Sequence, residues 1–285
     1  MIKERKIYKE IMKYLDSPEA IIITGMRRTG KTTLLKYIYG NIRSENKIFI
    51  DMENPINRRY FDEEDYENIK TSFELMGVNF RKKCYIFIDE IQFVKNLPSV
   101  VKYFIDHYNV KFFLTGSASF YLKNLFTESL TGRKFIFELY PLSFEEFLLF
   151  KESKLRIPEN TEKLSKAVFS KLSDLYNEYI LFGGFPAVVL KPSIEEKRMA
   201  LNEIFTSFFN LEVLQLGDFR RNEVIRDLIL LLSERIGSRI DIQKLSRYLG
   251  VSRPTIKEYL NFLEGTYLIS FVRPFSSGKD TEIRK

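Results

Sequence analysis

The sequence predicts an α/β fold with a parallel sheet core, a helical lid and a C-terminal winged helix. Over residues 1–140, short apolar segments alternate with helical patterns, which is typical of a parallel sheet. A glycine-rich loop at residues 25–32 directly follows the first apolar segment. From residue 143 the apolar spacing becomes helical and remains so up to residue 236. These three observations predict a core that is followed by a largely helical region.

The core is predicted to begin with a helix whose apolar positions, among them Ile7 and Ile11, have helical spacing. A first apolar strand and four further strands follow, separated by helical segments. Strands that alternate with helices form a parallel sheet with helices on both faces. We expect strands at residues 20–24, 47–51, 84–88, 111–115 and 135–139, and intervening helices near residues 31–43, 61–76 and 99–108.

Residues 25–32, Gly-Met-Arg-Arg-Thr-Gly-Lys-Thr, have the spacing of a Walker A loop. In such a loop, backbone N–H groups surround a nucleotide β-phosphate, and the next helix directs its positive dipole end at the anion. Glycine is needed because a Cβ would block this approach. We expect Lys31 to reach the β- and γ-phosphates, Thr32 to bind Mg²⁺, and Thr33 to contact the α-phosphate or simply to pack. The predicted nucleotide-binding residues here are Gly25, Arg28, Thr29, Gly30, Lys31, Thr32 and Thr33, and the alternative is a chance match.

An acidic pair, Asp89 and Glu90, ends the apolar run at residues 84–88, as in a Walker B strand. We expect Asp89 to hold Mg²⁺ through water and Glu90 to polarise the attacking water. The alternative is a strand that merely ends at two solvated carboxylates. Together with the Walker A loop, the pair predicts hydrolysis rather than binding alone, with Glu90 and Lys31 as the catalytic residues.

A hydroxyl group is predicted beside these motifs, where the strand at residues 111–115 runs into Gly-Ser-Ala-Ser. Ser117 is the candidate sensor of the γ-phosphate, and Thr115 is its close alternative. Ser117 or Ser119 could equally be an ordinary helix N-cap. Arg133 lies at the entrance of the last strand, where we interpret it as a solvated charge rather than a γ-phosphate contact.

Composition limits the classes of protein that the chain can represent. Its 285 residues are 45% apolar, which excludes general disorder, and its net charge of +7 is compatible with an anionic partner. The single cysteine, Cys84, lies in a predicted buried strand, and the single histidine, His107, has no neighbours that predict a metal site. No apolar run approaches the roughly 18 residues of a membrane span, and no signal peptide is evident. We therefore expect a cytoplasmic protein.

The helical lid is predicted over residues 141–235, and a turn at residues 183–186, Gly-Gly-Phe-Pro, interrupts it. From residues alone, this turn could be a plain connector. Residues 236–285 then show a helix-turn-helix pattern, with helices at 241–248 and 253–263 and a strand from 267 to 272, which predicts a winged helix. This region has nine lysines and arginines against five aspartates and glutamates. The candidate contacts to duplex DNA are Arg253, Thr255 and Lys257, although winged helices also serve as protein scaffolds.

The combination of motifs resembles the prokaryotic, especially archaeal, AAA-superfamily P-loop ATPases related to signal-transducing and origin-recognition ATPases. The resemblance rests on residues 25–32, 86–92, 114–117, 130–133, 141–147 and 183–186. It implies an AAA-type P-loop NTPase core, ATP rather than GTP, a nucleotide-linked lid movement and an adenine contact by Pro186. Many members carry a further nuclease-like domain, which would be expected to begin where this chain stops. The core is accordingly assigned to residues 1–140, the lid to 141–235, and the winged helix with the start of that C-terminal region to 236–285.

The leading expectation is a Mg²⁺-dependent ATPase whose nucleotide state moves the lid and winged helix to control a DNA or protein partner. The cofactors are then ATP and Mg²⁺. The alternative is a nucleotide-gated DNA-binding or signalling switch with little or no turnover. In a third interpretation, the winged helix is only a scaffold in a regulatory ATPase. Arg27 and Arg28 are interpreted as loop packing and solvated charge, so the arginine finger and the oligomeric state stay open.

Overall fold

The computed structural model describes residues 3–116, 130–157, 165–216, 219 and 221–272. The chain divides into two compact units, Met1–Phe209 and Asn210–Lys285. The division falls inside the segment that the sequence analysis assigns to the lid, and the domain boundaries at residues 140 and 235 stay predictions. Within the part of the chain described, no helix is both long and apolar enough to cross a bilayer.

The first unit contains a five-stranded sheet in which every pair of neighbouring strands is parallel. The order of the strands is β2-β3-β4-β1-β5, so β4 lies between the Walker A strand β1 and the Walker B strand β3. The carboxyl ends of these strands therefore lie along one edge, where ligands bind in open parallel sheets. The five predicted strands are confirmed with shifts of one residue at most: β1 Ala20–Thr24, β2 Lys47–Asp51, β3 Cys84–Asp89, β4 Val110–Gly116 and β5 Lys134–Glu138.

Both faces of the sheet are covered, as alternating residues of β1 show. Ala20 and Ile22 belong to one buried cluster, whereas Ile21 and Ile23 belong to another. Side chains alternate between the faces of a strand, so the two clusters are the cores of two helical layers. Among the residues described, the α-helices in the core of the first unit are Lys6–Met12, Lys31–Asn41, Pro55–Arg58, Tyr66–Leu75 and Leu97–His107.

Helices follow the sheet, as the change of periodicity predicts. Ser143 and Ser193 each begin a helix with a capping box, in which a serine and a glutamate three residues later satisfy each other's backbone N–H groups. The predicted turn at residues 183–186 packs closely, because the Leu142 N–H donates to the Gly184 carbonyl at 2.7 Å. These helices are Phe144–Phe150, Lys166–Phe182, Pro186–Val189 and Ile194–Phe208, and a π-helix, Phe209–Leu216, follows them.

The second unit contains the predicted helix-turn-helix. After the helix Asn222–Ser233, the helices Ile242–Leu249 and Arg253–Gly265 are joined by a turn in which Gly250 is left-handed. Ser252 caps the second of these helices by accepting the Thr255 N–H. The turn chemistry that predicted the motif is therefore present in the structure.

The strand predicted at residues 267–272 is wrong, since these residues are described and form no strand. The Tyr267 N–H donates to the Glu264 carbonyl, and the Leu268 N–H donates to Leu263, both at 3.0 Å. Tyr267 is also left-handed, with φ of 63°. These bonds close the end of the preceding helix, so the first residues of the apolar run are used in its C-terminal turn. A winged helix is thus not established by the residues described.

Candidate nucleotide-binding site

A cavity of about 670 Å³ lies in the first unit at the carboxyl edge of the sheet. Asp89 and Glu90, from the end of β3, line it together with the Walker A loop. The structure thus brings the two predicted halves of the site into one concave space. The predicted residues that line the cavity are Arg28, Thr29, Gly30, Lys31, Thr32, Thr33 and Pro186.

The non-helical part of the Walker A motif ends at Gly30. The backbone of Gly30 is left-handed, with φ of 96°, and the helix Lys31–Asn41 follows it. The helix N-terminus, with its positive dipole end, therefore begins within the cavity lining. Lys31 is only 5% exposed, and its Nζ donates to the carbonyl groups of Gly25 and Met26, both at 2.9 Å. The lysine ammonium is thereby held against the backbone of the loop, and its contact to a phosphate stays a prediction.

Gly25 packs against the backbone of Leu139, which follows β5. It does not line the cavity, and a Cβ at this position would lie 2.2 Å from the Leu139 carbonyl oxygen. Its φ of 151° is also unfavourable for other residues. The backbone after β5 approaches here, since the Leu139 N–H donates to the Thr24 carbonyl at 2.7 Å. Gly25 therefore allows β1 and the segment after β5 to pack, and its role in nucleotide binding stays a prediction.

Asp89 is a buried carboxylate, 2% exposed, which accepts a hydrogen bond from the Thr115 hydroxyl. Burial raises the pKa of Asp89, and the nearby charges of Glu90 and Asp51 add to this, which outweighs the hydrogen bonds from Thr115 and Thr32. A cation beside this carboxyl would stabilise its charged form. Because Mg²⁺ prefers oxygen ligands, the Asp89 carboxylate and the Thr32 hydroxyl fit this ion.

Glu90 lies at the exit of β3 in a left-handed conformation, with φ of 56°. A non-glycine residue rarely adopts this conformation, and it is often found at functional sites. The Gln92 amide donates to the Glu90 Oε2 at 2.5 Å. Glu90 lines the cavity next to Asp89, and its role in activating water stays a prediction.

Pro186 begins the short helix Pro186–Val189 and faces the Walker A loop. A Cβ built on Gly30 would lie 3.9 Å from the Pro186 Cγ. The Arg28 guanidinium, which is exposed, pairs with Glu203 of the helix Ile194–Phe208 at 2.9 Å. Two residues of the predicted lid, Pro186 and Glu203, thus lie next to the Walker A loop.

The predicted sensor, Ser117, lies outside the described residues. Its alternative, Thr115, is fully buried and donates its hydroxyl to Asp89. Arg133 lies before the amino end of β5 and pairs with Asp106 at 2.7 Å. The Arg133 ion pair agrees with a surface role, and the cavity lies at the other end of the strands.

Several residues that line the cavity were missed by sequence reasoning. Tyr37, Phe150 and Leu190 supply an apolar part of the lining, and Lys3 and Arg5 reach it from the N-terminal segment. Their types and spacing carry no motif, so the sequence offered no signal for them. Arg5 has one indirect signal, because the segment 141–147 that carries the resemblance contains Glu146, which pairs with Arg5.

The predicted DNA contacts lie on the second helix of the helix-turn-helix. Arg253 and Lys257 are exposed there. The Thr255 hydroxyl lies 2.8 Å from the Ser252 hydroxyl, so it takes part in the helix cap. The role of all three in binding DNA stays a prediction.

Comparisons with known proteins agree with this geometry. Residues 17–148 match the family model of an AAA domain, and residues 173–285 match a domain family of unknown function. An uncharacterized protein of Haemophilus influenzae is 28% identical over the whole chain, and one of Methanocaldococcus jannaschii is 29% identical over 96% of it. The chain spans 68% and 61% of the lengths of these two relatives.

Among solved structures, a Walker-type ATPase of Pyrococcus abyssi is similar in fold, with a TM-score of 0.55 and 17% identity. The match covers 93% of this chain and 90% of that protein. Together with the Walker A and Walker B geometry, these findings confirm the resemblance inferred from the sequence. The chain has the fold of an AAA-type P-loop ATPase, and residues 17–148 match the family model of an AAA domain.

Proposed function

We propose that the chain is a Mg²⁺-dependent ATPase. The observation that carries the proposal is the shared cavity, into which the loop lysine Lys31 and the strand-end carboxylates Asp89 and Glu90 all converge. These groups supply the positive charge, the metal ligand and the general base that phosphoryl transfer to water requires. We also propose that the protein acts in the cytoplasm, because ATP, its proposed substrate, is present there.

Binding of the triphosphate is assigned to the Walker A loop and the helix after it. The helix N-terminus offers backbone N–H groups to the β-phosphate, and Lys31 balances the charge of the β- and γ-phosphates. Thr33 lines the same stretch of the cavity, next to the position proposed for the α-phosphate. The adenine base is proposed to lie against Pro186 and the apolar lining that includes Tyr37 and Phe150.

Thr32 and Asp89 are proposed to hold Mg²⁺, which neutralises charge on the β- and γ-phosphates when it is bound. Glu90 accepts a proton from the attacking water and orients its oxygen toward the γ-phosphate. The hydrogen bond from Gln92 limits the rotation of the Glu90 carboxylate. Ser117 is kept as the candidate that contacts the γ-phosphate.

ATP turnover by Glu90→Gln tests the hydrolytic role. The amide cannot accept the proton, so we expect kcat to fall by about 10²-fold to 10⁴-fold while ATP still binds. Lys31→Ala should weaken ATP binding itself, by about tenfold or more. Glu74→Gln, which changes an exposed carboxylate on the helix Tyr66–Leu75, is the matched control and should leave turnover unchanged. Equal turnover in the Glu90→Gln and wild-type proteins would overturn the assignment.

A second candidate function is a nucleotide-gated DNA-binding switch with little turnover. It is favoured by the helix-turn-helix, which exposes Lys244, Arg247, Arg253 and Lys257. In either function, the nucleotide state is proposed to move the lid and to control access to the DNA or protein partner.

Binding of duplex DNA at several salt concentrations, with and without ATP, distinguishes the candidates. The variant Arg253→Ala/Lys257→Ala should bind more weakly and show a shallower dependence on salt, because two phosphate contacts are lost. DNA-stimulated turnover supports the ATPase proposal, whereas ATP-dependent affinity without turnover supports the switch. Equal binding by this variant and by the wild type would exclude these residues as DNA contacts.

A further inference from the structure

Arg5 links the Walker A loop to two segments that lie far from it in sequence. The residue is 7% exposed, and its guanidinium donates four hydrogen bonds. Two go to the Glu146 carboxylate, at 2.9 and 3.4 Å, and two go to the carbonyl groups of Thr29, at 3.0 Å, and Tyr140, at 2.8 Å. The loop, the segment after β5 and the helix Phe144–Phe150 thus share one cation.

The Thr29 carbonyl depends on such a donor. The N–H groups of a phosphate-binding loop face the anion, so carbonyl groups on the other side of the backbone need partners elsewhere. Thr29 is fully buried, which leaves protein groups as its donors. The residues on both sides, Arg28 and Gly30, have left-handed backbones, with φ of 67° and 96°. A conformation of this kind persists only when surrounding contacts hold it.

Glu146 anchors the guanidinium in turn. It is 6% exposed, and it also accepts the backbone N–H groups of Lys6, at 2.9 Å, and Ser143, at 3.0 Å. Burial raises the pKa of Glu146, but the hydrogen bonds from Arg5 and from these backbone groups outweigh it, so the pKa is lowered overall. The carboxylate is therefore charged at neutral pH, and its capping-box geometry fixes it to the start of the helix.

We infer that Arg5 is a positioning residue for nucleotide binding. Its guanidinium holds the Walker A loop in the phosphate-binding conformation through the Thr29 carbonyl, and Glu146 holds the guanidinium in place. Nucleotide affinity then depends on an ion pair between the N-terminal segment and the first helix after the sheet. This inference rests on the proposed function, because it assigns the control of ATP affinity at that same site.

The chain offers a matched control next to this ion pair. Lys6 and Glu145 also pair, and they connect the same N-terminal segment to the same helix. Both side chains are about half exposed, and neither lines the cavity. Removing this pair therefore tests the connection between the segments without changing the contact to the loop.

The experiment measures the Kd for ATP, together with kcat and KM, in Arg5→Lys and Lys6→Ala. A lysine keeps the charge but cannot reach Glu146 and the Thr29 carbonyl with the same fork of donors. We expect Kd and KM to rise about tenfold in Arg5→Lys with kcat within about twofold, because the loop contacts the phosphates equally before and during the reaction. Lys6→Ala should leave all three constants unchanged. An equal effect of the two variants, or no effect of Arg5→Lys, would overturn the inference.

A second variant separates positioning from mere stabilisation. Arg5→Met/Glu146→Gln removes the ion pair without leaving a buried unpaired charge, and the amide oxygen of the glutamine can still accept a backbone N–H of the capping box. The unfolding temperature should therefore lie closer to that of the wild type than the unfolding temperature of Arg5→Met alone. ATP affinity should stay reduced about tenfold, because the Thr29 carbonyl still lacks its donor. Recovery of wild-type affinity would show that the pair acts only as a structural support. Failure of the wild-type protein to bind ATP would instead refute the proposed function.

Discussion

At the scale of single residues, burial decides which groups are reactive. Cys84 is the single cysteine of the chain, and it is fully buried in β3. Burial raises the pKa of its thiol to about 12. The thiolate is the nucleophilic form, so the native thiol is inert at neutral pH. Burial likewise raises the pKa of the Asp89 carboxyl, and the hydrogen bonds from the Thr115 and Thr32 hydroxyl groups oppose this shift.

Reaction with a thiol reagent at pH 8 checks this conclusion. We expect native protein to react at least about a hundred times more slowly than protein in denaturant, because the thiol is exposed only when the sheet opens. Since no other cysteine is present, the signal reports on β3 alone. Comparable rates in the two conditions would contradict the burial of Cys84.

Glu67 gives a pH-dependent contribution to stability. Hydrogen bonds from Tyr108, Tyr103 and Lys70 lower the pKa of Glu67 to about 2. A carboxyl whose folded pKa is depressed stabilises the protein above its ordinary pKa of 4.5, and this contribution is lost as the pH falls toward 2. We therefore expect Glu67→Gln to unfold at lower denaturant concentration than wild type at pH 6, with a smaller difference at pH 3. Urea titrations at both values measure this, and a difference that grows at low pH would contradict it.

At the scale of elements, close approaches of the backbone join the sheet to the helices after it. The segment after β5 meets β1 at Gly25 and meets the turn at residues 183–186 at Gly184. At Gly184, a Cβ would lie 2.3 Å from the Leu142 carbonyl oxygen. This turn is thus a packed junction rather than a plain connector.

Two glycine substitutions test this view. Gly184→Ala should lower the free energy of unfolding by roughly 1–3 kcal/mol, because the added methyl group collides with backbone. Gly40→Ala, in the helix Lys31–Asn41, meets nothing within 4 Å and should raise stability by roughly 0.5–1 kcal/mol. Denaturant unfolding measures both changes. A stabilising effect of Gly184→Ala would show that the junction is loose.

At the scale of the whole molecule, the chain consists of two compact units, and the whole cavity belongs to the first. A ligand stabilises only the unit that binds it in the folded state. ATP and the helix-turn-helix are thus assigned to different units, and their coupling is part of the proposed function.

Calorimetry in the presence of ATP and Mg²⁺ tests this assignment. We expect one unfolding transition to move upward, by about 2.7 kcal/mol of added stability at an ATP concentration one hundred times Kd. A second transition should stay in place, and Lys31→Ala should abolish the shift. Movement of both transitions together would show that the two units unfold as one.

The sequence by itself determined the features that depend on short-range patterns. Apolar runs predicted all five strands, Walker spacing predicted Lys31 and Asp89 in one site, and the Ser252 cap predicted the helix-turn-helix. The comparisons confirm the AAA-type fold that these motifs indicated. Such features follow from periodicity, caps and loop chemistry, which are encoded within a few residues.

Only the tertiary structure decided which distant groups meet. It placed Arg5 between Thr29 and Glu146, Thr115 on Asp89, and Leu139 against Gly25. It also directed residues 267–272 into a turn, because their first N–H groups close the preceding helix. These outcomes depend on strand order and on the competition of backbone groups for partners, and neither is visible in a local pattern.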